Sequence, residues 1–384
     1  MDTAGWTQSC ICPVFLYTGI LDNDSRDDIF MYGKEYCMRP LKTGVAYHGN
    51  RMLHHAEADL RNIAAHNMNV VVHMFSHTDW ERHHEVMRRM FAISKDVGLE
   101  VWVDNWGLGG PPGDKSHFLS YHPDSHVIMM DGTMDPVTVC LNSPDFHDFM
   151  RRWIEAVADM GAETIFWDEP RMPVKWTADG KRIFSCACPR CQKLFAERYG
   201  KPMAEAEECQ LEDFQLHTIT EYLRLVTDYA AEHGLKNAVC VMLGDNIGIN
   251  LESSGALGSL PHLDNIGSDP YWGYRDNVHP YEFVYNGTKR NLEISAKYGK
   301  DHNIWIQAYA TPRGKEEEIV VAAEAAYDVG ARTILGWSYY AGISNDYGAQ
   351  NAELAYKRYE EAMARIWNME RDRILEENRR LYRK

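Results

Sequence analysis

The residues in this chain whose types and spacing can do chemistry are carboxylates that close short apolar runs. Trp167-Asp168-Glu169-Pro170-Arg171, Ser268-Asp269-Pro270-Tyr271-Trp272 and Asp104-Asn105-Trp106 each set a carboxyl group beside an aromatic ring. Gln307-Ala308-Tyr309 and Trp337-Ser338-Tyr339-Tyr340 end two further runs with amide, hydroxyl and aromatic groups. Sugars need this mixture, because an aromatic face stacks on the C–H face of the ring while carboxylates and amides bind its hydroxyls. Glycosidic cleavage adds a pair of carboxyl groups flanking the scissile bond, one protonated and one ionised. Asp168, Glu169 and Asp269 are therefore the candidate catalytic groups. Asp104, Asn105, Trp106, His73, Arg171, Tyr271, Trp272, Gln307, Trp337 and Tyr339 are the candidate substrate contacts. Arg171 would suit an anionic sugar, although pairing with a neighbouring carboxylate is the plainer reading. Adjacent residues of one strand point to opposite sides of the backbone, so Asp168 and Glu169 share a site only if the strand has already turned.

A second constellation is Cys186-Ala187-Cys188-Pro189-Arg190-Cys191, with Cys140 some distance before it. Three thiolates in C-x-C-x2-C spacing plus a fourth from afar make a closed tetrahedral zinc site, structural rather than catalytic. Cys209 is a substitute ligand, and Cys10, Cys12, Cys37 and Cys240 have no assigned role. His48, His73 and His77 fall near strand ends, where they can meet sugar hydroxyls or a metal, but no H-E-x-x-H spacing marks a catalytic metal. No organic cofactor is expected, since no glycine-rich phosphate turn follows the first strand.

These groups need a scaffold, and the hydrophobic periodicity supplies one. Strands are expected over 11–18, 69–75, 99–103, 163–167, 238–243, 263–267, 303–308 and 332–337. Helical patterns lie between them near 51–67, 82–97, 144–160, 211–233, 281–298, 315–329 and 351–367. The clearest runs from Pro144, with Ser143 as N-cap and Phe146, Phe149, Met150, Trp153, Ile154 and Val157 on one face. Gly98, Gly161, Gly234, Gly299 and Gly330 stand where helices end. Eight strand–helix pairs read as a (β/α)8 barrel in the α/β class, whose reacting groups sit at the C-terminal ends of its strands. The expected organisation is a single barrel domain over 1–368 and a charged helix over 369–384. Segments 22–50 and 171–210 exceed the barrel minimum, the latter being an insertion after strand four that carries the cysteines.

Lys and Arg number 40 against 56 Asp and Glu, a net charge of −16. That balance argues against nucleic acid or an anionic membrane as partner, because polyanion binding draws its free energy from basic residues. With no apolar stretch of about 18 residues and no signal-peptide pattern at Met1, the expected location is the cytoplasm. Nine cysteines without an export signal suit metal ligands and buried thiols better than disulfides.

The segment 140–200 resembles the glycoside hydrolase family 42 β-galactosidases and their barrel relatives. In that family a Cys stands just before a Ser-Pro helix start, as in Cys140-Leu141-Asn142-Ser143-Pro144. The fourth strand then ends in Asn-Glu, and a C-x-C-x2-C zinc cluster follows, with Phe and Tyr-Gly after it. Here the run is Asp168-Glu169, then Cys186, Cys188 and Cys191, Phe195 and Tyr199-Gly200. The resemblance implies Glu169 as general acid/base, a structural zinc on Cys140, Cys186, Cys188 and Cys191, and a homo-oligomer, since such relatives often form trimers. Two departures stand out: Asp168 replaces the Asn, and the seventh strand reads Trp305-Ile306-Gln307 where the family keeps its glutamate nucleophile. A second layout, that of the clan D α-galactosidases, places an Asp nucleophile at strand four and an Asp acid/base at strand six, where Asp168 and Asp269 stand.

The function these readings support is hydrolysis of a small glycoside or oligosaccharide. A barrel that binds carbohydrate without cleaving it, suggested by Gln307, and a metal-dependent sugar isomerase or lyase are the alternatives.

Overall fold

Short apolar runs become buried strands when helices cover the sheet they form. The computed structural model describes residues 40–105, 116–243, 254–273, 275, 277–344 and 346–382. Eight parallel strands close a barrel: Lys42–Tyr47, Val70–Met74, Glu100–Asp104, Thr164–Trp167, Lys236–Val241, Asn265–Ser268, Asp301–Gln307 and Thr333–Trp337. Each pairs with its neighbours in chain order, and the first closes on the eighth with Lys42 opposite Thr333.

This is the expected (β/α)8 architecture, with one correction. The first strand is Lys42–Tyr47, inside the segment read as a loop, while 11–18 lies outside the described residues. Its pattern is masked by Lys42, Thr43 and Gly44. Lys42 pairs with Glu100 at 2.6 Å, and the Thr43 hydroxyl donates to the Asn67 carbonyl. Gly44 is needed because a Cβ there would lie 2.3 Å from the Val70 carbonyl oxygen on the next strand.

The long helices are Leu53–Ala65, His77–Asp96, Pro144–Asp159, Glu208–Glu232, Pro280–Lys297, Glu317–Asp328 and Ala352–Tyr382. Ser143 caps the third through its Oγ, which accepts from Phe146 N–H, and Pro144 opens its first turn. The apolar face read from sequence is buried there. The five glycines expected at helix ends all take positive φ, as the left-handed C-terminal cap requires. The last helix runs unbroken through 367 into the charged segment. Among the described residues no helix is long and apolar enough to cross a membrane.

Two layers of core follow from strand parity. One lies between strands and helices; the other fills the barrel with Ala46, Val70, Val72, Trp102, Phe166, Ala238, Cys240, Trp305 and Leu335. Continuing that parity one step towards the C-terminal ends brings His48, Asp104, Asp168, Gln307 and Trp337 to the mouth. On the sixth strand Ile266 packs outward, so Gly267 and Asp269 have inward parity.

Two insertions flank the mouth. A hairpin of His126–Ile128 and Met134–Val139 follows strand three, and one of Lys175–Trp176 and Arg182–Ile183 follows strand four. They are joined by a bridge between Met129 and Ser185 and by the Ala187 N–H donating to Ile128 O at 2.6 Å.

Candidate functional site

The turn that sequence alone left open is present. Glu169 has φ +36°, in the left-handed region, so the chain reverses direction immediately after the inward-facing Asp168. The Glu169 carboxyl thereby comes within hydrogen-bonding reach of Asp269 on the sixth strand. Such a backbone costs about 1–3 kcal/mol in a non-glycine residue and persists only where its surroundings enforce it. On its other side Glu169 forms an ion pair with Arg171. The plainer reading of Arg171 is therefore what the structure contains.

Three carboxyl groups thus share the mouth. Burial, and then the charge of Glu169, push Asp168 up to about 7 against the pull of Arg171. Burial, with Glu169 and Asp168 close by, holds Asp269 well above the usual carboxylate range. Like charges this close oppose one another's ionisation, and Arg171 pairs with Glu169. The cluster therefore offers an acid and a base in one place. Asp104, fully buried at the end of strand three, faces Cys240 on the inner barrel wall together with these three carboxyls. Asn105 follows, 1% exposed, with neither side-chain polar atom partnered among the described residues. Trp106 lies outside the described residues.

The aromatic candidates separate into two groups. Tyr271 and Trp337 pack on the inner barrel core. Tyr271 lies beside Asp269 and Asp168, with its ring edge-on to Tyr309 at 5.4 Å. Trp337 meets His48 at 4.6 Å and Trp305 at 5.9 Å. Trp272, by contrast, is 5% exposed and donates through Nε1 to Glu318 at 2.9 Å, so it ties its loop to a helix instead of forming a sugar wall. Tyr339 donates to Asp59 and stacks edge-on against Tyr47 and Tyr356, a packing role between the first and last helices.

His73 and Gln307 both have partners within the fold. His73 has outward parity; its Nε2 meets Ser94 Oγ at 2.9 Å, and burial, then Arg51, hold it down to about 3. Gln307 accepts from Gly273 N–H at 2.9 Å and donates to the Tyr309 carbonyl, bracing the loops after strands six and seven. Cys240, assigned no role by spacing, lies on the inner face of strand five and feels Asp269, Asp168, Glu169 and Asp104 together. Strand parity is the only sequence signal for it.

The four expected cysteines converge. Cys140, Cys186, Cys188 and Cys191 are buried, and their sulfurs all lie within 4.8 Å of one another. Cys140 Sγ is 3.4 Å from Cys191 and 3.7 Å from Cys188. A tetrahedral zinc with Zn–S near 2.3 Å requires sulfurs about 3.8 Å apart, so the cage fits that ion. Cys188 caps the helix Pro189–Tyr199 and Cys191 sits in its first turn, where the helix dipole favours thiolates. Asn142 Nδ2 donates to Cys191 Sγ at 3.3 Å. Cys209 is exposed beside Glu207 and does not join the cluster.

Fold and mouth together define a (β/α)8 barrel with a carboxyl-lined opening and a four-cysteine cage in its insertions. No protein-family profile and no curated protein sequence matches the chain. Solved structures do. The β-galactosidase of the psychrophilic Marinomonas ef1 superposes with TM-score 0.65 at 13% identity, over 86% of this chain and 60% of that one. The β-galactosidase of Bacillus circulans sp. alkalophilus gives 0.61 at 12%, over 85% and 56%. The β-amylase catalytic domain of Paenibacillus polymyxa gives 0.58 at 10%, over 83% and 97%. The chain thus spans little more than half of these β-galactosidases, and at such identities the likeness is one of fold.

Proposed function

We propose that the protein is a glycoside hydrolase acting on a small glycoside or oligosaccharide at the barrel mouth. The observation that carries this reading is the convergence of Glu169 and Asp269, with Asp168 beside them, at the C-terminal ends of strands four and six. The β-galactosidases and the β-amylase domain among structures of the same fold agree with it. Asp269, whose carboxyl burial and the neighbouring Glu169 and Asp168 push upward, is the acid that assists the leaving oxygen. Glu169, held against Arg171, is the carboxylate that meets the anomeric centre or its attacking water. Asp168 sets the charge of the pair from behind. Tyr271 and Trp337 supply rings for the sugar face, and Asp104 and Asn105 supply hydroxyl partners.

In this reading the cysteine cage holds a structural zinc. The ion would clamp the two insertions to each other beside the mouth and take no part in chemistry.

A panel of aryl glycosides of both anomers tests the assignment. One anomer of one sugar is hydrolysed, and Glu169→Gln and Asp269→Asn each lower kcat by about 10²–10⁴-fold. Turnover that survives in both variants overturns it. Saturable sugar binding by the wild type without hydrolysis of any panel member selects the non-catalytic barrel instead.

A further inference from the structure

Away from the carboxyl mouth, His77 and Glu81 lie one turn apart on the helix His77–Asp96, and His117 approaches them from the loop after strand three. Sequence periodicity starts this helix near residue 82; the structure starts it earlier, because Ser76 and Asp79 form a capping box. That extra turn is what puts His77 and Glu81 on one face. His117 Nε2 lies 2.9 Å and His77 Nε2 3.5 Å from Glu81 Oε1, and the two imidazoles stack with centroids 4.4 Å apart. One ligand atom from each of the three lies within 4.8 Å of the others.

The second ring nitrogen of His77 is already oriented. Its Nδ1 is 2.9 Å from Ser116 Oγ, which also accepts from Phe118 N–H at 3.2 Å. With Nδ1–H donating to the serine, the Nε2 lone pair is turned towards Glu81, the outer-shell arrangement that prepares a histidine to ligate a metal. His77 is only 7% exposed and packs edge-on against Phe149, so the ring is held in place. Beside the cluster is a cavity of about 330 Å³ lined by His77 and Glu81 themselves and by Trp80, Phe118, Tyr121 and Phe149.

We infer that His77, Glu81 and His117 form a second divalent-cation site, suited to zinc. Two imidazoles and one carboxylate supply three ligands, and the fourth position is open to the aromatic cavity for a water or a small anionic ligand. This site shares no residue with the carboxyl group or with the cysteine cage, so it stands whether or not the protein hydrolyses glycosides.

The test uses full-length protein purified with its cysteine cage zinc-loaded, titrated with cobalt(II) as a spectroscopic probe for zinc. The expected result is uptake of one cobalt per chain with visible d–d absorption and no thiolate-to-cobalt charge-transfer band. Glu81→Gln and His117→Ala, both at partly exposed positions where folding tolerates change, abolish that uptake with unaltered far-UV circular dichroism. Ser116→Ala weakens it by about tenfold or more through the lost orientation of His77. Absence of uptake, uptake that carries a thiolate band, or uptake undiminished in Glu81→Gln and His117→Ala overturns the inference.

Discussion

Glu169 and Asp269 leave different strands of the barrel, yet their carboxyl groups lie within hydrogen-bonding reach of each other. The contact exists because residue 169 adopts φ +36° directly after a strand whose parity would otherwise turn it away. Arg171, two residues on, holds the other side of the same carboxylate. One local reversal thus converts an Asp-Glu pair that should face opposite sides into two members of one site.

The strain at that reversal is measurable. Glycine adopts positive φ freely, so Glu169→Gly removes a conformational cost of about 1–3 kcal/mol while adding unfolded-chain entropy of about 0.5–1 kcal/mol. The ion pair lost with it is partly exposed and contributes little. The variant is expected to be inactive yet to unfold at an equal or higher urea midpoint than wild type; a clearly lower midpoint contradicts the strain argument.

Asp168 makes stability depend on pH. Its folded value, raised by burial and then by Glu169 from 3.8 to about 7, means that the native state binds more protons than the unfolded chain between those limits. Stability from this group therefore falls as pH rises through that window and is level above it. Asp168→Asn cannot lose a proton, so its Tm advantage over wild type should widen from pH 4 to pH 7. Thermal melts across that range that run parallel would exclude the coupling.

The cysteine cage predicts a metal content. Elemental analysis of protein purified without a metal-affinity step should find at least one zinc per chain, and Cys188→Ser and Cys191→Ser should each lose one zinc relative to wild type. Proteolysis in these variants should begin in the 126–139 and 175–191 segments, because a zinc held by the four cysteines would reinforce the β-bridge between the two insertions.

Barrel closure has its own sensitive position. Gly336 on the eighth strand lies under Tyr359, whose ring would be 2.4 Å from a Cβ there and whose hydroxyl donates to the Gly44 carbonyl at 2.6 Å. Gly336→Ala forces that ring off its acceptor and should cost about 1–3 kcal/mol in chemical denaturation. Retention of wild-type stability would show that the last helix can shift to accommodate it.

Local patterns reach only as far as neighbours along the chain. They sufficed for seven of the eight strands, for the helix begun by Ser143-Pro144, for the glycine caps and for the spacing of Cys186, Cys188 and Cys191, all of which depend on contacts within a turn or on alternation. The first strand escaped because Lys42, Thr43 and Gly44 are satisfied by partners from other parts of the chain: Glu100, Asn67 and the backbone of Val70. The same limit governed the site. That Asp168, Glu169 and Asp269 meet was decided by barrel closure and by one left-handed residue. That His73, Trp272 and Tyr339 do not join them was decided by Ser94, Glu318 and Asp59, each from another helix. The types of group at the strand ends were set by the sequence. Which of them face one another was set by the closed barrel, because only closure fixes the direction in which each strand's parity points.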